Sequence, residues 1–355
     1  MGSQWNTCGP DTLHVTFKEG AHRTPTEFSA LLGEFQRMHG LPTNPLVRDK
    51  GLSGFASAAV DKAAGLRLDW TRPSQEGANK GFFCLQVKGA WFESADGDTQ
   101  ADFLQLCRAY GEYRVTRIDF QQTTRTTEHL TPWWIDQFEA GRFRVVGRKH
   151  YEPRGRKDSQ GEYPLGATLY HGSRSSERFA RQYDKHLQAE YGPRRRRDEV
   201  ELKGQTARDI WDELQQQLLD SEQLGQARGV TLATYSRSAI RAFLPIRDVT
   251  PWLGKDLPRK WTEMAAEPTT WATLFDDEPL TVKPRERRVS GLLKSYRYAC
   301  QNFGAALSAM AVVRRGEIME NGCPDQISWL QAFLSILVER VVEANPDRVK
   351  EFLME

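Results

Sequence analysis

Tyr183 has neighbours that could make it a nucleophile. It sits in Arg181-Gln182-Tyr183-Asp184-Lys185. Read as a strand, the period-two alternation puts Phe179, Arg181, Tyr183 and Lys185 on one face and Arg178, Ala180, Gln182 and Asp184 on the other. A phenol attacks poorly near neutral pH because its pKa is ~10. Cations beside it favour the phenolate, and Arg181 and Lys185 flank it on its own face. A lone strand tyrosine is, by composition, more often a half-buried packing residue, so the reading needs further groups. Asp119 lies in Arg117-Ile118-Asp119-Phe120, on the face of Arg117. In Arg197-Asp198-Glu199-Val200-Glu201-Leu202-Lys203, Val200 and Leu202 face one way. Arg197, Glu199, Glu201 and Lys203 face the other. Acids on neighbouring strands can hold Mg²⁺ or Mn²⁺ through oxygen. Asp184 joins them only if a bulge re-aims it. The competing reading pairs Glu199 and Glu201 with Arg197 and Lys203 on an exposed face.

Three segments follow one another closely. A turn, Tyr170-His171-Gly172-Ser173-Arg174-Ser175-Ser176, is followed by Arg181 to Lys185 and then by Arg197 to Lys203. This series resembles the replication initiation factor family, which includes initiators of rolling-circle plasmids and filamentous phages and relaxases of some integrative elements. The likeness runs from about Tyr113 to Leu219 and is faint after about Val289. It implies a metal-dependent, site-specific endonuclease and strand transferase. Tyr183 would cut one DNA strand at an origin, keep the 5′ phosphate, leave a 3′-OH and later rejoin the strand, with Arg181 and Lys185 assisting. It supports Asp119 and Glu199 most directly as ligands of Mg²⁺ or Mn²⁺, with Glu201 and Asp184 beside them. Members often carry a further acid where this chain has Thr123. The implied partners are origin DNA at a single-stranded or cruciform nick site, a host or element-encoded helicase, and a second copy of the chain in a homodimer. No membrane is implied. The alternative is a non-catalytic, origin-binding replication regulator on the same scaffold. The intact set of Tyr183, Lys185 and Glu199 favours the enzyme.

The bulk numbers fit such partners without proving them. The net charge is +2 over 355 residues, but it is unevenly spread. Arg142 to Lys203 holds 16 Lys and Arg against 9 Asp and Glu, and Lys283 to Arg297 holds 6 against 1. Basic patches of this kind are the footprint of phosphate binding. Arg174, Arg178, Arg194, Arg195 and Arg196 are assigned to backbone phosphates. Arg287, Arg288 and Lys294, with Arg285 and Arg297, either read an origin or form an ordinary basic face. The five cysteines are scattered with no CxxC, which suits a reducing cytoplasm. There is no signal-like N-terminus and no apolar run long enough for a bilayer. No Gly-rich loop ends in Gly-Lys-Ser/Thr, so DNA unwinding would fall to a separate helicase. The seven histidines never show the paired spacing that other single-tyrosine nucleases use for metal.

The elements that must position these residues read as an α+β fold, a mainly antiparallel central sheet with helices packed on it. Strands are expected at Thr12–Lys18, Gly65–Trp70, Gly81–Val87, Tyr113–Gln121, Gly141–Lys149, Ala167–His171, Arg178–Lys185 and Arg197–Lys203. Helices are expected at Thr26–Met38, Asp98–Tyr110, Pro132–Ala140 and from a Thr206 cap to about Leu219. Tyr151 to Pro164 reads as a charged loop. The expected domains are a catalytic nicking domain over 1–222, a connector with small helices over 223–288 and a smaller, mostly helical region over 289–355. No internal repeat is visible.

Overall fold

The structure, a computed structural model, describes residues 7–274 apart from 21–22, 45, 72–78, 127, 149, 159–162, 164–165 and 189–193. Arg287, Arg288 and Lys294, and the helices expected beyond Val289, lie outside the described residues. The first half of the fold runs β1 (Thr7–Lys18), α1 (Pro25–Met38), β2 (Val47–Lys50), β3 (Ser57–Asp61), β4 (Leu66–Trp70), β5 (Phe82–Val87), α2 (Gly89–Ser94) and α3 (Gly97–Ala109). The second runs β6 (Tyr113–Arg125), α4 (Thr131–Glu139), β7 (Phe143–Val145), β8 (Tyr151–Arg154), β9 (Thr168–His171), β10 (Arg178–Asp184), a 3₁₀ turn at Lys185–Gln188, β11 (Arg195–Lys203) and α5 (Gly204–Gln223). α6 (Arg228–Phe243), β12 (Ile246–Asp248) and the short α7 (Trp261–Met264) and α8 (Thr269–Ala272) follow.

Ten strands form one sheet in the order β2-β3-β4-β5-β1-β6-β11-β10-β9-β8. Its ladders are antiparallel, so the expected α+β class holds. The order β2-β3-β4-β5-β1 is repeated by β8-β9-β10-β11-β6, and the halves meet where β1 pairs β6. Each half runs from a long strand through a helix and a run of strands to a closing helix. The repeat is one of topology, which explains why no sequence repeat is visible.

Apolar alternation decides which face is packed. Leu13, Val15 and Phe17 of β1, Ile118 and Phe120 of β6, and Val200 and Leu202 of β11 are all buried on one face. The long helices cover that face. Phe28 of α1 meets Phe17 at 5.0 Å between ring centroids and Phe83 at 5.8 Å. α1 begins where its chemistry says it should. The Thr24 hydroxyl accepts from the Glu27 amide and the Glu27 carboxylate accepts from the Thr24 amide, a reciprocal cap, with Pro25 opening the first turn.

Several elements depart from the sequence expectation. α5 starts at Gly204, with no side-chain cap, because Gly204 turns the chain at φ 59° directly out of β11. The Thr206 hydroxyl donates to Glu177 instead. The basic strand at Gly141–Lys149 shrinks to β7, which pairs with β12 far downstream. The expected loop at Tyr151 contributes β8, an edge strand that tolerates Pro153. The stretch expected as a connector contains α6, a 16-residue helix whose Leu232, Tyr235, Ala239 and Ile240 are buried.

Beneath the helices, β11 buries an ion pair. Arg196 and Asp198 are 1% and 0% exposed, with Nη2 to Oδ2 at 3.1 Å. Gln182 donates to the other Asp198 oxygen at 2.7 Å and meets His171 Nε2 at 2.9 Å. The Arg196 guanidinium lies 4.7 Å from the Trp134 ring centre. Removing one partner leaves the other buried and uncompensated. Asp198→Ala should therefore lose about 3–5 kcal/mol of stability, read as a lower urea midpoint. A loss under about 1 kcal/mol would mean that the pair is solvated.

Candidate active site

The face of the sheet opposite the long helices carries the charged residues. Register places them: Arg181 of β10 pairs with Glu199 of β11, Tyr183 with Arg197, and Glu199 with Gln121 of β6. Alternation then brings Phe179, Arg181 and Tyr183 beside Arg197, Glu199 and Glu201. The Tyr183 hydroxyl donates to Glu199 Oε1 at 2.5 Å. Arg181 Nε donates to the other Glu199 oxygen, and its guanidinium lies 5.7 Å from the Tyr183 ring centre. Glu199 is 3% exposed and Tyr183 8%. Burial pushes the Tyr183 phenol far above its ordinary range, and the Glu199 charge adds to the rise. The resting phenol is protonated and hydrogen-bonded to a buried carboxylate.

Asp119 of β6 stands directly opposite Glu201 of β11. Like charges facing each other across a ladder repel. Arg117 answers them: its Nη2 lies 2.5 Å from Asp119 Oδ2 and 2.7 Å from Glu201 Oε2. Lys203 also pairs with Glu201. Burial is the largest cause raising the Asp119 carboxyl to about 7, with the charges of Glu201 and Asp11 adding and Arg117 opposing.

Asp11 and Glu93 join the site from the first half, and sequence reasoning missed both. Arg197 ties them in, with Nη1 3.2 Å from Asp11 Oδ1, Nη2 2.7 Å from Glu93 Oε1 and Nε donating to the Thr123 hydroxyl at 2.8 Å. Thr123, at the place of a further acid in the family, thus serves as an arginine acceptor. Asp11 falls where the β1–β6 register shifts between Pro10 and Thr12, an irregularity that Gly9-Pro10 hints at. A Cβ at Gly89 would stand 2.6 Å from Asp11 Oδ1, so a glycine is needed for that approach. Burial, then the charge of Glu199, raises Asp11 to about 6.

The remaining predicted site residues fall in several places. Lys185 opens the 3₁₀ turn and pairs with Glu93 at 3.3 Å. Asp184 points to the helix face, where its carboxylate accepts from the Thr131 amide at the start of α4 at 2.9 Å. No bulge re-aims it, so it stands apart from the other acids. Arg196, expected on phosphates, is buried on that same helix face, because β11 begins at Arg195 and alternation continues through it. Arg174, Arg178 and Arg194 are exposed, and Arg195 is half-buried.

The donor chemistry suits a hard divalent cation. The clustered acids offer only oxygen, and Asp11 and Asp119 are pushed toward neutrality by burial and by neighbouring carboxylates. A guanidinium nitrogen sits between Asp119 and Glu201, where positive charge is demanded. Among the described residues no three such groups yet stand in a ligating arrangement.

The topological repeat supplies an internal comparison. Followed through the registers from the Leu13–Ile118 pair, the place of Asp119 is taken by His14, Glu201 by Gln86, Glu199 by Cys84 and Arg181 by Asp69. Thr71 falls at the place of Tyr183. Asp69 is fully buried and accepts from the Leu52 amide, Arg67 and Gln86. The first half repeats the frame without the reactive set.

Residues 113–317 match the family model for replication initiation factors. Among solved structures, a rolling circle replication initiator protein from Geobacillus stearothermophilus is similar in fold, with a TM-score of 0.51 and 15% sequence identity. The match covers 78% of this chain and 98% of that one. No protein with a curated description matches the chain. Among the described residues no helix is long and apolar enough to cross a membrane.

The raised acids predict a pH dependence of stability. Asp11 and Asp119 rise from an ordinary 3.8 to about 6 and about 7. Each is held better protonated in the folded state than in the unfolded one. Their contribution is therefore present below about pH 4 and is lost as pH rises through those values. Asp11→Asn and Asp119→Asn should each flatten the decline in Tm between about pH 4 and pH 7. Parallel Tm profiles for variants and parent would show that these carboxyls titrate normally.

Proposed function

Because the chain belongs to the replication initiation factor family, we propose that it initiates rolling-circle replication by nicking one strand at an origin, with Tyr183 as nucleophile. The observation that carries this reading is the Tyr183 hydroxyl held at 2.5 Å on a buried Glu199 carboxylate beside Arg181. A phenol this hard to ionise does not wait as a phenolate. It needs a base that takes the proton as the bond to phosphorus forms, and Glu199 is within reach to be that base. The Tyr183 oxygen bonds to phosphorus, the bond from phosphorus to the 3′ oxygen breaks, and the departing oxygen takes a proton from Lys185 or solvent. The product is a 5′-phosphotyrosine link and a free 3′-OH, and the reverse sequence rejoins the strand. Arg181 and Arg197 face the charge that builds on the phosphate.

Asp119, Glu199 and Glu201 would hold the metal, with Asp11 alongside, and the chemistry a bound Mg²⁺ or Mn²⁺ supplies is polarisation of the phosphoryl oxygen. Arg117 already offers positive charge between two of these acids. Arg174, Arg178 and Arg194 are exposed and would meet backbone phosphates. The implied partners are origin DNA and a separate helicase.

Tyr183→Phe removes only the attacking oxygen. It should bind origin DNA within a few-fold of the parent and form no covalent adduct on a denaturing gel. Adduct formed by this variant would move the nucleophile elsewhere. Adduct absent from the parent as well, with Mg²⁺ and single-stranded origin oligonucleotides, would leave a binding-only regulator. Glu199→Gln keeps the size and one acceptor but cannot take the proton. Single-turnover cleavage should fall by roughly 10²- to 10⁴-fold, and an unchanged rate would remove Glu199 from the chemistry.

A further inference from the structure

A second cluster lies on the same face, toward the β8 edge. Tyr170 of β9 pairs in register with Arg181 of β10, so its ring is on the Tyr183 side of the sheet. Phe179 stacks beside it, with ring centroids 5.6 Å apart and 27° between planes. Phe179 is buried and Tyr170 is half-buried. The Arg174 guanidinium carbon lies 4.8 Å from the Tyr170 ring centre and 5.8 Å from that of Phe179. Its Nη2 also donates to the Tyr170 hydroxyl at 2.9 Å. Arg154 of β8 approaches the same ring at 5.3 Å. Both arginines are exposed. The turn carrying Arg174 is fixed by Lys203, which donates to the Arg174 carbonyl at 2.7 Å, and by the Ser176 amide on the Ser173 carbonyl at 3.0 Å.

Two near-parallel aromatic rings, one of them buried, with exposed guanidiniums beside them offer a cationic aromatic surface. Nucleobases stack on such rings and on arginine planes, with little regard to sequence. We infer that Tyr170, with Arg174 and Arg154, forms a stacking subsite for one base of a single strand, about two nucleotides from a phosphate held at Tyr183. The position relative to Tyr183 rests on the nicking reading above; the stacking itself needs no cleavage. Tyr170 is a diagonal cross-strand neighbour of Tyr183, roughly 7–8 Å away along the sheet. A strand rising ~3.4 Å per nucleotide spans that distance in about two steps. The base displaces part of the arginine layer, and the freed guanidiniums turn to the flanking phosphates.

The test compares a labelled short oligothymidylate with an abasic sugar-phosphate strand of equal length, by anisotropy at one salt concentration. The protein carries Tyr183→Phe throughout, so no adduct forms. The strand with bases should bind more tightly than the abasic strand. Tyr170→Ala should cut that advantage by roughly 5- to 150-fold and leave abasic binding unchanged. Tyr170→Leu, which keeps an apolar contact on Phe179, should do the same, while Tyr170→Phe and Tyr170→Trp should retain the advantage. Equal weakening on both strands, or none on either, overturns the subsite. Failure of the nicking reading would appear separately, as absence of adduct with Tyr183 intact.

Discussion

A buried carboxylate must be answered on both oxygens, and Glu199 is answered by a guanidinium on one and a phenol on the other. That requirement organises the reactive half of the sheet. It fixes the register of β10 against β11, since Arg181 and Tyr183 reach the same acid only when Arg181 stands opposite it. It also leaves the phenol un-ionised, because burial and the adjacent negative charge both oppose a phenolate. The same pressure recurs one position along, where Asp119 and Glu201 face each other and Arg117 lies between them. A sheet that places acids opposite acids has an unmet demand for positive charge. Here arginines meet it, and the arrangement suits any ligand that brings phosphate and cation together.

The site is composite. Arg197 takes the Thr123 hydroxyl from its own half and Asp11 and Glu93 from the other. The pairing of β1 with β6 is what carries Asp11 there, so the first half supplies part of this cluster even though its own equivalent positions are His14, Cys84, Gln86, Asp69 and Thr71.

What was legible in the sequence was local. Alternation along β10 and β11 assigned Arg181, Tyr183, Glu199 and Glu201 to one face correctly, and the helical spacing of Phe28, Leu32 and Phe35 marked α1. Errors arose where a partner distant in the chain decides. Asp11 and Glu93 gain their meaning only through β1–β6 pairing and the turn at α2. β7 is cut short by a partner strand that no local pattern reveals. Arg196 looked like one of a run of loop arginines, yet β11 starts early enough to carry it under Trp134. Thr206 had the residue type of a cap, but Gly204 had already turned the chain into the helix.

The two ends of the ten-stranded sheet are four-residue strands, a length shared only by β9. β2 is Val47-Arg48-Asp49-Lys50, exposed at every position, and β8 is Tyr151-Glu152-Pro153-Arg154. Unpaired strand edges invite other chains to continue the ladder, and short edges bearing charge or proline resist it. A sheet this wide, with one face of charge and a strand order used twice, would otherwise be a template for runaway polymerisation. Borders of this kind disfavour continuation of the ladder by the backbone of a second copy.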